Sequence, residues 1–267
     1  MEETAAIASG LVADDPSSGD REAPVIVAVD HVNKIYSDGT HALKDVSLAV
    51  RDKEIVAVIG PSGCGKSTLL RAIAGLTSPT DGVCRVADGV QPAFVFQQPT
   101  LLPWRTAERN AELLLRLSGV PRAESRRRAH EAMTLVNLAG FEKAYPRALS
   151  GGMRMRLSLA RSLAMKPDLF LLDEPFSALD EITRKTLNDE LARIWFHQPF
   201  TAILVTHNLY EAIFLASRVV VMSARPGRIQ TEIAVTLPYP RNSDVRLTSE
   251  YVSFVEQLSI ELERAAA

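Results

Sequence analysis

Only two cysteines, Cys64 and Cys84, occur in 267 residues. Their placement matches no metal-ligand spacing and leaves no disulfide framework to build a fold on, so both are expected to be reduced and structural, Cys64 filling a small position in a loop. Long apolar runs are missing too: none approaches the roughly 18 residues that a membrane helix requires. The acidic opening MEETAAIASGLVADDPSSGDREAP has neither the positive start nor the longer apolar stretch of a signal peptide. The chain is therefore expected in the cytosol, with any membrane role peripheral. Nor is there an excess of one charge: 30 Lys and Arg against 32 Asp and Glu leave a formal net charge of −2, which gives no overall attraction to nucleic acid. The basic run at residues 126–128 reads as a solvated helix face. Internal repeats are absent.

What remains is an ordinary globular composition, 46% apolar and 23% charged, in a chain long enough for one large domain with subdomains. Residues 1–23 are polar and rich in Ala, Asp and Ser, and are expected to form a mobile tail. The runs VIVAVDHVNKIY and HALKDVSLAV flank SDGT, which predicts a β-hairpin. EIVAVIG is the continuous apolar strand of a parallel sheet, followed by a helix over 66–76. A further strand is expected in PAFVFQQ, then helices in ERNAELLLRLSGV and RAESRRRAHEAMTLVNLAG, then strands again in LFLLDEP and FTAILVTH. Strands that alternate with helices predict an α/β fold on a parallel sheet, here with a helical insertion at about 99–161. The last element, residues 249–264, reads as an amphipathic helix with Tyr251, Val255, Leu258 and Leu262 on one face.

Two stretches carry phosphate chemistry. GPSGCGKS, residues 60–67, fits G-x-x-x-x-G-K-[ST] between a predicted strand and a predicted helix. Gly60, Gly63 and Gly65, with Pro61, Ser62 and Cys64 between them, let the backbone wrap a phosphate chain with its N–H groups inward. Lys66 supplies a positive charge to the β- and γ-phosphates, Ser67 a hydroxyl for Mg²⁺, and Thr68 continues the positive start of the helix. The second stretch is the end of LFLLDEP. Asp173 is placed to hold Mg²⁺ through water, and Glu174 to orient or deprotonate an attacking water. Alone, such an acid pair is often only a solvated strand end; behind a phosphate loop it is a metal and water site.

LSGGMRMR, beginning at Leu149, adds a second helix start of this kind: Ser150, Gly151 and Gly152 open a helix with free N–H groups. Taken alone it is a helix cap. Together with the phosphate loop it gives one chain two phosphate sites, and the economical explanation is a head-to-tail pair of chains, each closing on the nucleotide of the other. At this point the sequence resembles the ATPase subunit of an ABC (ATP-binding cassette) transporter, in which LSGGQ or LSGGM is the signature, over roughly residues 24–265. The resemblance implies a P-loop NTPase core with a RecA-like parallel sheet, an N-terminal antiparallel β layer and an inserted helical subdomain. It divides the chain into a tail (1–23), an ATPase domain (24–236) and a C-terminal segment (237–267). It implies ATP and Mg²⁺ as ligands, with Tyr36 stacking on adenine. Gln97 would sense the Mg²⁺ and attacking water, Asp180 act across the dimer interface, and His207 bond the γ-phosphate.

Within that family, LLPW (101–104), YP ahead of the signature, DEPFSALD, and RPGRI followed by LPYPR resemble the ATPases of nitrate, sulfonate and taurine importers. These work as homodimers beneath a transmembrane permease, on the cytoplasmic face of the inner membrane, fed by a periplasmic or lipid-anchored binding protein. TLLPW, apolar for an exposed stretch, suits the groove in which a permease helix docks. Two residues depart from the family pattern: Met155 stands for the usual Gln, which puts the strength of the contact across the dimer in question, and Asn208 stands for Asp. The rivals are an ABC-type ATPase acting on nucleic acid or ribosomes, which usually has a coiled-coil insertion or two cassettes, and a P-loop kinase or GTPase, which has no use for LSGGM.

Overall fold

The computed structural model describes residues 23–177 and 179–266; the expected tail, apart from Ala23, and Ala178 lie outside them. The predicted hairpin is present as β1 (Val25–Ile35) and β2 (His41–Arg51), which pair antiparallel. A strand not foreseen, β4 (Asp81–Val86), pairs with the other edge of β1 and completes a three-stranded antiparallel sheet.

The larger sheet has the order β5-β6-β7-β3-β8-β9. Its strands are β3 (Ile55–Ile59), β5 (Pro92–Val95), β6 (Leu169–Asp173), β7 (Thr201–Val205), β8 (Arg218–Met222) and β9 (Ile229–Ala234). The first five run parallel, and β9 returns antiparallel to β8. Every residue of β3, β6 and β7 is buried because both faces are covered. Ile55, Ala57 and Ile59 face the helices; Val56 and Val58 face the small sheet and α1 (Lys66–Ile73), packing with Val27, Leu48 and Leu70. The expected α/β class with an added antiparallel layer is what the chain adopts.

Between β5 and β6 lie α2 (Ala107–Ala111), α3 (Leu113–Leu117), α4 (Arg122–Leu135) and α5 (Gly151–Leu163). The helix expected after residue 107 is interrupted at Glu112, and the next stops at Leu135 rather than running to 140. Asn137 there takes a left-handed backbone (φ 55°), and the N–H of Leu138 bonds the Met133 carbonyl, which closes the helix. After β6 come α6 (Glu181–His197) and α7 (Leu209–Leu215). The terminal helix α8 (Ser249–Ala266) buries Tyr251, Val255 and Leu258 as its periodicity predicts, and Tyr251 donates to the Tyr210 carbonyl at 2.7 Å. Buried Arg241 bonds the carbonyls of Ile213, Phe214 and Ala216 at the end of α7.

Parallel pairing decides where the chemistry goes. Val58 stands beside Val205, Val205 beside Asp173, and Leu172 beside Val95. The carboxyl ends of β3, β7, β6 and β5 therefore share one rim, the usual place for a ligand on such a sheet.

Candidate functional site

The loop after β3 is folded by its own chain. Gly63 and Gly65 have φ of 75° and 107°, a region closed to most side chains. A Cβ on Gly65 would lie 2.6 Å from the Ala42 carbonyl oxygen, and one on Gly60 2.6 Å from that of Met222. Helix α1 has no side-chain cap and no acidic residue in its first turn, whereas α5, α6 and α7 are capped by Ser150, Asp180 and Asn208. The N–H groups of Lys66, Ser67 and Thr68 thus open α1 without an intrahelical partner. This uncapped, carboxylate-free start suits a phosphate. Lys66 is buried, 6% exposed, and folds back over the loop, its Nζ donating to the carbonyls of Gly60 (2.8 Å) and Pro61 (3.0 Å). Cys64 is structural, as expected, but it is packed in the core and not merely filling a small loop position, with its Sγ 3.8 Å from Lys66 Nζ.

Ser67 Oγ donates to Asp173 Oδ1 at 2.7 Å, which joins the phosphate loop to the end of β6. A hydroxyl beside a buried carboxylate is a hard-oxygen pair, the donor set that Mg²⁺ prefers. Glu174 follows with a left-handed backbone (φ 46°), a strained state for a residue with a side chain. Its N–H bonds the Val205 carbonyl. Its Oε2 receives Gln97 Nε2 and stands against His207 Nδ1, both at 3.3 Å. Gln97 also donates to Ser177 Oγ. Tyr36 is joined to Thr68 through its hydroxyl at 3.1 Å, with Lys34 Nζ 5.3 Å from its ring centre. Tyr36, the loop, Asp173, Glu174, Gln97 and His207 thus form one linked group.

The remaining candidates stand apart. Among the described residues no hydrogen bond joins Ser150, Gly151, Gly152 or Asp180 to that group. They gather instead where α5 meets α6. Ser150 Oγ accepts the Met153 N–H, and a Cβ on Gly152 would lie 2.9 Å from Thr183 Cγ2. Asp180 accepts from the backbone and hydroxyl of Thr183, and these bonds hold its carboxyl below the usual carboxylate range. Met155 points into the core at 2% exposure, with Leu157 and Leu159, so it fills the chain's own interior and makes no outward contact. Trp104 is 71% exposed, whereas Leu101 packs partly buried against the core, so TLLPW presents only part of its apolar surface.

Two elements of the site escaped the sequence reading. RPGRI, read only as a subfamily marker, is the back wall of the phosphate loop. Arg225 donates to the Gly63 carbonyl at 3.1 Å, and Gly227 is so close that a Cβ would meet the Cys64 carbonyl oxygen at 2.0 Å. A glycine two residues beyond an arginine was the available signal. The other is Glu211, a carboxyl wholly buried beneath the His207 segment.

The chain is similar to known proteins in sequence and in fold. A family model described as ABC transporter matches residues 43–177. The chain is 42% identical over 243 residues to an uncharacterized ABC transporter ATP-binding protein of Methanocaldococcus jannaschii, covering 88% of this chain and 90% of that one. It is 46% identical over 211 residues to the aliphatic sulfonates import ATP-binding protein SsuB of Bacillus licheniformis, covering 76% and 81%. Among solved structures, a dimeric post-hydrolysis ATP-binding cassette bound to ADP and Pi superposes with a TM-score of 0.70 at 32% identity, covering 79% of this chain and 99% of that one. With a phosphate loop, an acidic strand end and a separate Ser-Gly-Gly helix start all in place, the chain belongs to the ABC transporter family of ATP-binding proteins.

Proposed function

We propose that the chain is the ATP-hydrolysing subunit of an ABC importer for a small anion, of the class that includes aliphatic sulfonates, nitrate and taurine. The observation that carries this reading is the separation of two phosphate-suited helix starts within one chain, α1 and α5. Two copies arranged head to tail bring the α5 start of one onto the nucleotide held by the α1 start of the other. The similarity to a dimeric cassette bound to ADP and Pi supports that arrangement, and the similarity to an aliphatic sulfonates import ATP-binding protein supports import and the anion class. The permease would dock near Trp104, on the cytoplasmic face of the membrane, and a separate binding protein would deliver the solute. Among the described residues no helix is long and apolar enough to cross a membrane; in this reading the permease supplies the membrane path.

The residues take these parts. The amides of the loop and the first turn of α1, with Lys66 released from the Gly60 and Pro61 carbonyls, hold the phosphate chain. Tyr36 offers its ring to adenine. Ser67, Asp173 and Gln97 would hold Mg²⁺, which when bound offsets charge on the β- and γ-phosphates. Glu174 orients a water and takes up its proton, and His207 donates to the γ-phosphate. Ser150, Gly151 and Gly152 of the second copy close the site, with Asp180 at the same interface.

The test is Glu174→Gln. The amide still accepts and donates hydrogen bonds but takes no proton, so phosphate release should fall by about a hundred-fold or more, while ATP-dependent dimers accumulate in size-exclusion chromatography. Turnover at the wild-type rate would sink the assignment. Purification of this variant with Mg-ATP from detergent-solubilised membranes should recover a multi-spanning protein in equal amount; ribosomes or DNA in its place would leave the ATPase standing and remove the transport role.

A further inference from the structure

His207 is the most weakly held member of the group around Glu174. Its side chain is over half exposed, and among the described residues the Glu174 carboxylate at 3.3 Å is its one side-chain partner. Where the imidazole stands is therefore set by the backbone that carries it, between the end of β7 and the start of α7.

That backbone is closed into a ring. Asn208 N–H donates to Thr206 Oγ1 at 3.0 Å. Thr206 Oγ1 donates to Glu211 Oε2 at 2.8 Å. Glu211 N–H donates to Asn208 Oδ1 at 3.1 Å. His207 lies inside this three-residue circuit, with both of its neighbours fixed, and the Thr206 N–H ties the circuit to Val58 of the central strand. We propose that Glu211 is a positioning residue for the switch histidine: through Thr206 and Asn208 its buried carboxyl fixes the backbone on both sides of His207, and so fixes where the imidazole meets Glu174. The proposal rests on the reading of His207 given above.

Stability alone does not account for this carboxyl. Glu211 is buried, and its Oε1 has no hydrogen-bond partner, a costly state that an apolar side chain on the inner face of α7 would avoid. Burial pushes its pKa up to about 7, opposed by the Thr206 hydroxyl and by Arg184 of α6 and reinforced by Glu174. Glu181, Lys185 and Arg246 line the same small cavity. The use of the carboxyl is as the acceptor that holds the Thr206 hydroxyl in place. The circuit uses a side-chain oxygen at 208, which Asn208 supplies without a charge.

The test uses the full-length chain with Glu211→Ala, Glu211→Gln and Thr206→Val, each with and without His207→Ala. Glu211→Ala and Thr206→Val should each lower kcat for ATP by about ten- to a hundred-fold, the cost of a misplaced group, with KM within about two-fold of wild type. Glu211→Gln, whose amide oxygen accepts the same Thr206 bond, should recover most of the rate. Neither loss should add to that of His207→Ala. The imidazole ¹⁵N resonances of His207, identified by their absence in His207→Gln, should shift in Glu211→Ala and Thr206→Val and stay in place in Glu211→Gln. An unmoved His207 spectrum in both ring-breaking variants overturns the proposal, whatever the rates do, as do equal losses in the presence and absence of His207. Full turnover in His207→Ala would instead overturn the reading of the histidine, and the spectrum would still decide the ring.

Discussion

The glycines ahead of α1 and Gly151 heading α5 look alike in sequence, but the folded chain makes different demands on them. At the first, the chain itself consumes the missing side chains: Gly60 and Gly65 face backbone carbonyls at 2.6 Å, and Gly65 adds a left-handed φ. At the second, a Cβ on Gly151 would meet nothing nearer than an Arg154 nitrogen at 4.0 Å. Gly152 is limited by its own chain, its Cβ position lying 2.9 Å from Thr183 Cγ2; nothing in the folded monomer requires a glycine at 151, and under the proposed pairing that requirement would come from the second copy. One site is closed by its own chain; under the proposed pairing the other would be half of a shared one.

Gly65→Ala against Gly151→Ala breaks that comparison most sharply. The first should cost about 2–4 kcal/mol of folding stability, from strained backbone and a carbonyl clash, and abolish ATP binding. The second should leave the denaturation midpoint of the monomer unchanged yet abolish ATP-dependent dimerisation. Equal stabilities for the two variants would end the argument. Lys66→Ala against Ser150→Ala comes next: isothermal titration should find no ATP binding in the first, whereas the second keeps binding and loses about 1 kcal/mol from its helix cap. Met155→Gln, the residue that restores the family pattern, should cost about 1–3 kcal/mol because it buries an amide in the core, and should leave the dimer contact unchanged. The smallest effect is in acid. Asp180 caps α6 with a carboxyl held below its usual range, so that cap is in force above the ordinary carboxylate pKa and is lost as pH falls through the lowered one. Helix α1 has no such cap to lose. The hydrogen-exchange protection factor, which corrects for the slower intrinsic exchange in acid, should therefore fall at the first turn of α6, and not of α1, as the solution is acidified.

Much of this was readable in one dimension because the informative residues lie next to each other. The apolar runs of β3, β6 and β7 announce strands covered on both faces, and the motif residues sit at their ends, where parallel pairing gathers them. What was hidden depends on partners far along the chain. β4 shows half-exposed alternation and becomes a strand only by pairing with β1. The part Gly227 plays depends on Cys64, more than 160 positions earlier, lying against it. Met155 lies in a recognised motif, and only the packing of α5 shows that it faces inward. Glu211 looks like an ordinary helix glutamate; its burial comes from α6 and the C-terminal segment folding over α7.

The central strand has a consequence for how the protein is made. β3 emerges early in synthesis, but its two neighbours, β7 and β8, begin at Thr201 and Arg218. The phosphate loop is thus translated long before the strands that flank its base exist, and sequence-distant pairing of this kind is slow to form. Until about four-fifths of the chain has left the ribosome, the apolar edges of β3 have no permanent cover. A nascent cassette of this order is a natural client for chaperones, and a message truncated before β8 should yield aggregate rather than a smaller nucleotide-binding protein.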